Sequence, residues 1–204
     1  MMKQESAAAR RTKSHLQQAL LELVKNKGFH HVTVKDIVEW SDYNRTTFYL
    51  YYHDKYELSD ALIAEKLSGL EQAVGSAYFT GQLVHTQTMG AESFALLHYI
   101  KQHRAFFDLL FVPDTLPGLV HQFPETIERI YQEQFSFQTL NDLPVDMDLF
   151  KRYMANGLYG LIRDWIQTNY AKEEQQFINE LIQLSQAHIG SYTFFGQTKK
   201  DSSH

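Results

Sequence analysis

Residues 33–58 read Thr33-Val34-Lys35-Asp36-Ile37-Val38-Glu39-Trp40-Ser41-Asp42-Tyr43-Asn44-Arg45-Thr46-Thr47-Phe48-Tyr49-Leu50-Tyr51-Tyr52-His53-Asp54-Lys55-Tyr56-Glu57-Leu58. Thr33 followed three residues later by Asp36 is a capping-box pattern, in which hydroxyl and carboxylate each satisfy a free backbone N–H at a helix start. A short helix to about Trp40 follows. Ser41-Asp42-Tyr43 is a turn, and Asn44 caps a second short helix that runs through Tyr49. Asp54-Lys55-Tyr56-Glu57 repeats the capping-box pattern and opens a long helix to about Tyr78. Two short helices joined by a three-residue turn, behind a longer helix, make a helix-turn-helix. Such a motif places its second helix in the major groove, where exposed side chains reach base edges.

The preceding helix is expected over about Ser6–Lys27. Leu16, Ala19, Leu20, Leu23 and Val24 form its apolar stripe, and Gly28 stops it. Phe48 lies opposite most of the polar residues of the second short helix. It is expected to anchor that helix on a small core of Val32, Val34, Ile37 and Val38.

Downstream, spacings of three and four recur and strict alternation is rare, which reads as all-helical. Helices are expected near 91–102, 103–112, 124–140, 144–170 and 172–188, with a proline-bounded loop over about 113–123. The fold class expected is all-α, with about nine helices. The expected domains are residues 1–55, a three-helix unit carrying the helix-turn-helix, residues 56–190, a helical body, and residues 191–204, a flexible tail.

The chain has 204 residues, 44% of them hydrophobic and 21% charged. That suits a folded globular protein and argues against global disorder. It has no cysteine, so disulfides, thiol catalysis and cysteine-ligated metals are excluded. The first residues, Met-Met-Lys-Gln-Glu-Ser, lack the apolar stretch of a secretory signal, and no apolar run is long enough to span a bilayer. A cytoplasmic location is expected.

The net charge is −5, but it is unevenly spread. Residues 1–55 carry nine Lys/Arg and six Asp/Glu, whereas residues 56–204 carry ten and eighteen. A mildly basic head on an acidic body suits a protein that offers one end to phosphates.

Residues 10–58 resemble the tetracycline-repressor (TetR/AcrR) family of regulators. The resemblance rests on Gly28-Phe29, Thr33-Val34-Lys35-Asp36-Ile37, Arg45-Thr46-Thr47-Phe48-Tyr49 and Asp54-Lys55-Tyr56-Glu57-Leu58 in this spacing. It implies that Thr33 caps the second helix and touches a phosphate, and that Lys35 lies near the DNA backbone. Asn44, Arg45, Thr46 and Thr47 would face the groove, and Tyr49 and Tyr51 would contact phosphates or base edges. Lys55 would meet a phosphate with help from its helix dipole, and Arg11 and Lys13 would extend the phosphate contacts. The chain departs from the family in its turn, Ser41-Asp42-Tyr43, where the family has Ala-Gly-Val. The glycine position often needs a left-handed backbone, which Asp tolerates better than most residues. Thr46 replaces the family's glycine, and Tyr51-Tyr52 its His-Phe pair.

The same resemblance implies a repressor that binds a near-palindromic double-stranded operator as a homodimer through the last two long helices and is released by a small-molecule effector. Gly157 and Gly160 would permit close helix approach. Phe94, His98, Phe106, Phe107, Phe111, Tyr153 and Trp165 are candidates to line an effector pocket, or else plain core. No catalytic motif is present: there is no GxSxG, P-loop, dinucleotide glycine pattern or HExxH. His98 and His103 are off the i, i+4 spacing of two metal ligands on one helix face, and no metal or cofactor is expected. The alternative is a helical interaction or activator protein that works through a partner protein.

Overall fold

The computed structural model describes residues 6–197. The chain divides into two units. The first comprises residues up to Lys66 together with Ala105–Val120, and the second Leu67–Arg104 with the residues from His121 onward. The first unit thus extends past residue 55 into the helix that opens there, and takes in a segment from much later in the chain.

In the first unit, α1 spans Ala7–Lys27, with Ser6 accepting at its N-terminus from Ala9 N–H (3.2 Å). It ends where Gly28 takes φ +78° and donates to the Val24 carbonyl. Helix α2 is Val34–Trp40, α3 is Arg45–Tyr49, and α4 is Lys55–Gly75. The capping box of α2 forms as expected: Thr33 N–H donates to Asp36 Oδ2 (2.7 Å) and Asp36 N–H donates to Thr33 Oγ1 (3.2 Å). At α4 the pattern is altered. Asp54 Oδ1 accepts from Tyr56 and Glu57 N–H, but Glu57 reaches back to His53 N–H and not to Asp54. Asp42 adopts φ +57°, the left-handed conformation that the turn requires. Leu16, Leu20, Val24, Phe29, Ile37, Phe48, Leu58 and Leu62 are wholly buried. Phe48 is therefore the anchor of α3.

The second unit contains α5 (Ala95–Gln102), α7 (Leu119–Gln134), α8 (Met147–Gln167) and α9 (Glu174–His188). Helix α6, a single turn over Arg104–Phe107, and the 3-10 turn over Asp108–Phe111 that follows it belong from Ala105 onward to the first unit. Nine α-helices thus occur among the described residues, and the class is essentially helical.

Several expected boundaries need correction. Residues Ala91–Phe94 are a 3-10 turn ahead of α5. Pro124 sits inside α7, not in its first turn, so the loop before α7 is shorter than expected. Helix α8 stops at Gln167 because Asn169 and Tyr170 both take φ +56°.

The larger correction is a three-stranded antiparallel sheet of β1 (Gln82–His85), β3 (Ile189–Phe194) and β2 (Phe135–Thr139), in that order. Residues 191–194, expected in a flexible tail, lie in the central strand; residues 198–204 of that tail are outside the described residues. Phe137 and Val84 are both opposite Tyr192, and Phe135 and Gln82 are both opposite Phe194. Tyr78, Phe135, Tyr192 and Phe194 pack edge-on or tilted, with centroids 4.9–5.9 Å apart. Such aromatic pairs add roughly 0.5–1.5 kcal/mol each beyond burial, which is what draws this segment into a sheet.

The Asp36 carboxylate also accepts from Lys27 Nζ (2.8 Å), and Lys27 and Thr33 together hold its pKa down at about 2. Its stabilisation is present above the ordinary carboxyl pKa and is lost as pH falls through about 2. Asp36→Ala should cost about 1 kcal/mol at pH 7, read from urea unfolding. The difference from the unaltered chain should shrink as pH falls below 4 towards 2; a pH-independent difference would contradict this origin.

Candidate nucleic-acid interface

Helix α3 has only five residues, so its ends matter more than its interior. Asn44 Oδ1 accepts from Thr47 N–H (2.8 Å) and from Thr47 Oγ1 (3.1 Å). That cap gives the exposed Asn44 a structural task. Thr47 is half-buried with its hydroxyl proton engaged. Arg45 and Thr46 are exposed and make no side-chain hydrogen bond or ion pair among the described residues. Tyr49 is also exposed, with its ring edge against Phe48 (5.5 Å). Arg45, Thr46 and Tyr49 therefore form one solvent-facing set, supported from beneath by Phe48 and Tyr52.

The flanking cations differ among themselves. Lys35 is exposed, within 3.6 Å of Glu39 one turn on. Lys13 on α1 lies over the Tyr51 ring at 5.8 Å, and Tyr51 is half-buried beneath it. Arg11 is exposed. Thr33 has its N–H and hydroxyl proton both engaged by Asp36.

Lys55 contacts the chain itself. Its ammonium donates to the carbonyls of Phe29 (2.9 Å), His30 (3.1 Å) and Val32 (2.9 Å), and lies 4.6 Å from the Phe29 ring centroid. An ammonium has three donors, and all three are used within the protein.

Sequence reasoning missed three features of this face. Leu50 is 73% exposed at the end of α3, the most exposed large apolar side chain among the described residues. Helical periodicity could have found it, since inward Phe48 and Tyr52 leave the position between them outward. Trp40 and Tyr56 are also exposed, at about half their surface. Asp114 carries the third feature: its carboxylate accepts from His30 N–H (2.8 Å) and contacts the His30 ring, while its carbonyl accepts from Phe29 N–H (2.8 Å). The His30 ring and N–H hold the Asp114 carboxyl below its ordinary pKa. No local signal could have paired residues 84 apart.

The second unit contains a cavity lined by Tyr78, Ser93, Phe94, Tyr131, Phe135 and Tyr192, among others. Tyr78 and Tyr192 hydroxyls lie 3.1 Å apart, and burial pushes both phenols up in pKa, so they stay neutral. Of the aromatics proposed for a pocket, Phe94 lines this cavity and Tyr153 a neighbouring one on α8 and α9. Phe106 and Phe107 are buried in the first unit, and Trp165 packs on Tyr170 and Phe177 with its indole N–H on the Lys172 carbonyl. His98 is exposed and bonds Glu174 and Gln102, and Phe111 is half-buried.

Residues 17–62 match the family pattern for bacterial regulatory proteins of the tetR family, and residues 93–187 match a transcriptional regulator C-terminal region of the same group. The chain belongs to the TetR family of transcriptional regulators. A curated relative, an uncharacterised HTH-type transcriptional regulator of Bacillus subtilis, is 25% identical over 173 residues. The match covers 84% of this chain but 44% of that relative, so the chain spans less than half its length. Solved TetR-like structures share the fold. The dihydroxyacetone kinase operon activator DhaS matches with TM-score 0.58 and 20% identity, over 85% of this chain and 93% of that one. A putative TetR-family regulator from Syntrophomonas wolfei matches at 0.61 and 13% identity, over 86% and 93%. A TetR regulator from Streptococcus agalactiae matches at 0.56 and 18% identity, over 86% and 93%. TetR-family proteins are regulators and not enzymes, in line with the lack of a catalytic motif in the sequence.

Proposed function

We propose that this TetR-family chain binds double-stranded operator DNA as a homodimer, represses transcription in the cytoplasm, and is released by a small-molecule effector. The observation that carries the DNA reading is the outward set on α3. Arg45, Thr46 and Tyr49 are exposed on a capped helix whose inward side is fully packed. An arginine in that position can donate two hydrogen bonds to a guanine edge. Leu50 adds an apolar tip suited to a thymine methyl. Asn44 and Thr47 hold the start of the helix and border the same surface. Lys13, Lys35 and Tyr51, with Arg11, supply the electrostatic and polar surround for phosphates.

Support for the dimer comes from α8 and α9. Leu149, Tyr153, Leu161 and Leu184 are exposed, from 39% to 65%. Gly157 and Gly160 stand on the same helix with open space where a Cβ would project. A stripe of large apolar side chains separated by glycines suits a second copy of the same helix pair, and two-fold symmetry would then match a palindromic operator. The cavity around Tyr78, Tyr131 and Tyr192 suits an uncharged, largely apolar effector with a hydrogen-bond acceptor, because no charged side chain lines it. No described helix is long and apolar enough to cross a membrane.

Duplex DNA carrying the chain's own promoter should be retarded in a shift assay, with affinity falling steeply as salt rises. Arg45→Ala should lose about 1–3 kcal/mol of preference at one base position while keeping non-specific binding. Failure to retard any such fragment at low salt would sink the reading. Separately, Leu149→Glu combined with Leu161→Glu should convert the dimer to a folded monomer in sedimentation; a dimer that survives both charges would place the interface elsewhere.

A further inference from the structure

The turn between α1 and α2 is gripped from both sides. Its carbonyls at Phe29, His30 and Val32 all accept from the Lys55 ammonium, at 2.9–3.1 Å. Its N–H groups at Phe29 and His30 both donate to Asp114, through the carbonyl and the carboxylate, each at 2.8 Å. Gly28, at φ +78°, lies so close to Asp114 that a Cβ there would come within 2.5 Å of its carboxylate. Only glycine fits beneath the acidic side chain in that conformation. We propose that Lys55 and Asp114 are positioning residues that clamp the α1–α2 turn and so set the orientation of the helix-turn-helix, and that Lys55 is not a phosphate contact. The proposal rests on the DNA-binding reading for its consequence, but the clamp itself is a property of the DNA-free protein.

The physical case is one of saturation and sign. A surface lysine that serves phosphate keeps its ammonium in water, as Lys35 does. Lys55 is half-buried, has its three donors on three carbonyls, and has its charge against the Phe29 and Tyr56 rings. Turning to a phosphate would strip three acceptors at once. Asp114 provides the sign. Its charge opposes phosphate, so on electrostatics alone its removal should tighten DNA binding. As half of a clamp, its removal should weaken binding.

The test begins with amine labelling of the unaltered, DNA-free chain by acetic anhydride, read by mass spectrometry. Lys55 should react about ten-fold more slowly than Lys35 or slower still, as expected of an amine held by charged hydrogen bonds. Labelling of the two at equal rates would overturn the clamp, whether or not the chain binds DNA. On DNA, Asp114→Ala should weaken binding about five-fold or more, well below its melting temperature; unchanged or tighter binding would overturn the positioning role. Lys55→Met should weaken binding with an unchanged slope against log salt. Lys35→Met, if Lys35 meets one phosphate, should make that slope shallower by about 0.9. A slope change of that size in Lys55→Met would make it a phosphate ligand after all. If Lys55→Met does not fold, the labelling and Asp114→Ala results still decide. If the unaltered chain binds no DNA, the proposed function fails while the labelling still judges the clamp.

Discussion

The Lys55 ammonium on the carbonyls of Phe29, His30 and Val32 is the constraint on which the reading head depends. A chain leaving one helix and entering another within a few residues exposes several carbonyls on the same side. Water can satisfy them, but water does not fix their relative positions. One ammonium with three donors does both. Charge-assisted hydrogen bonds are each worth roughly 1.5–3 kcal/mol when buried and less where water competes, so the half-buried Lys55 contributes mainly by fixing geometry. Because Lys55 begins α4, the bond set fixes that helix against the end of α1 and the start of α2. Asp114 adds the complementary half by taking the turn's N–H groups. With the turn fixed from both sides, the Thr33–Asp36 box starts α2 in one place, Asp42 reverses the chain in its left-handed conformation, and Asn44 starts α3.

Much of that sequence of events was legible in the residues themselves. Capping depends on partners three residues apart, so Thr33 with Asp36 and Asn44 with Thr47 could be read directly. The burial of Phe48 follows from helical period, and the left-handed turn at Asp42 from the glycine that the family carries at that position. The role of Lys55 was not legible, because its acceptors lie 23–26 residues earlier and a lysine at a helix start is equally suited to phosphate. Asp114 was out of reach for the same reason. It belongs to a segment, Ala105–Val120, that joins the first unit from the middle of the second. The family resemblance places Arg45 and Tyr49 on an outward face, whereas which base or phosphate each meets depends on the DNA.

The second unit shows the opposite balance. Its helices are visible in the spacing of apolar residues, but β2 falls where a helix is expected and most of β3 where a tail is expected. Phe135-Ser136-Phe137-Gln138-Thr139 does alternate over five residues, yet it follows directly on α7, and that continuity masked the change of period. Ile189–Phe194 follows α9 with no break and is buried on most of its length. What converts both segments to strands is the aromatic cluster of Tyr78, Phe135, Tyr192 and Phe194, assembled from three separate places in the chain. Tyr78, Phe135 and Tyr192 of that cluster also line the cavity, so residues that build this part of the fold also define what kind of molecule it could accept.

The most direct measurement is a crystal structure of the chain bound to its operator duplex, compared at Lys55. The ammonium should remain on the Phe29, His30 and Val32 carbonyls while Arg45 and Tyr49 enter the major groove. A Lys55 side chain swung out to a phosphate, with those carbonyls left to water, would contradict the claim that it holds the head in shape.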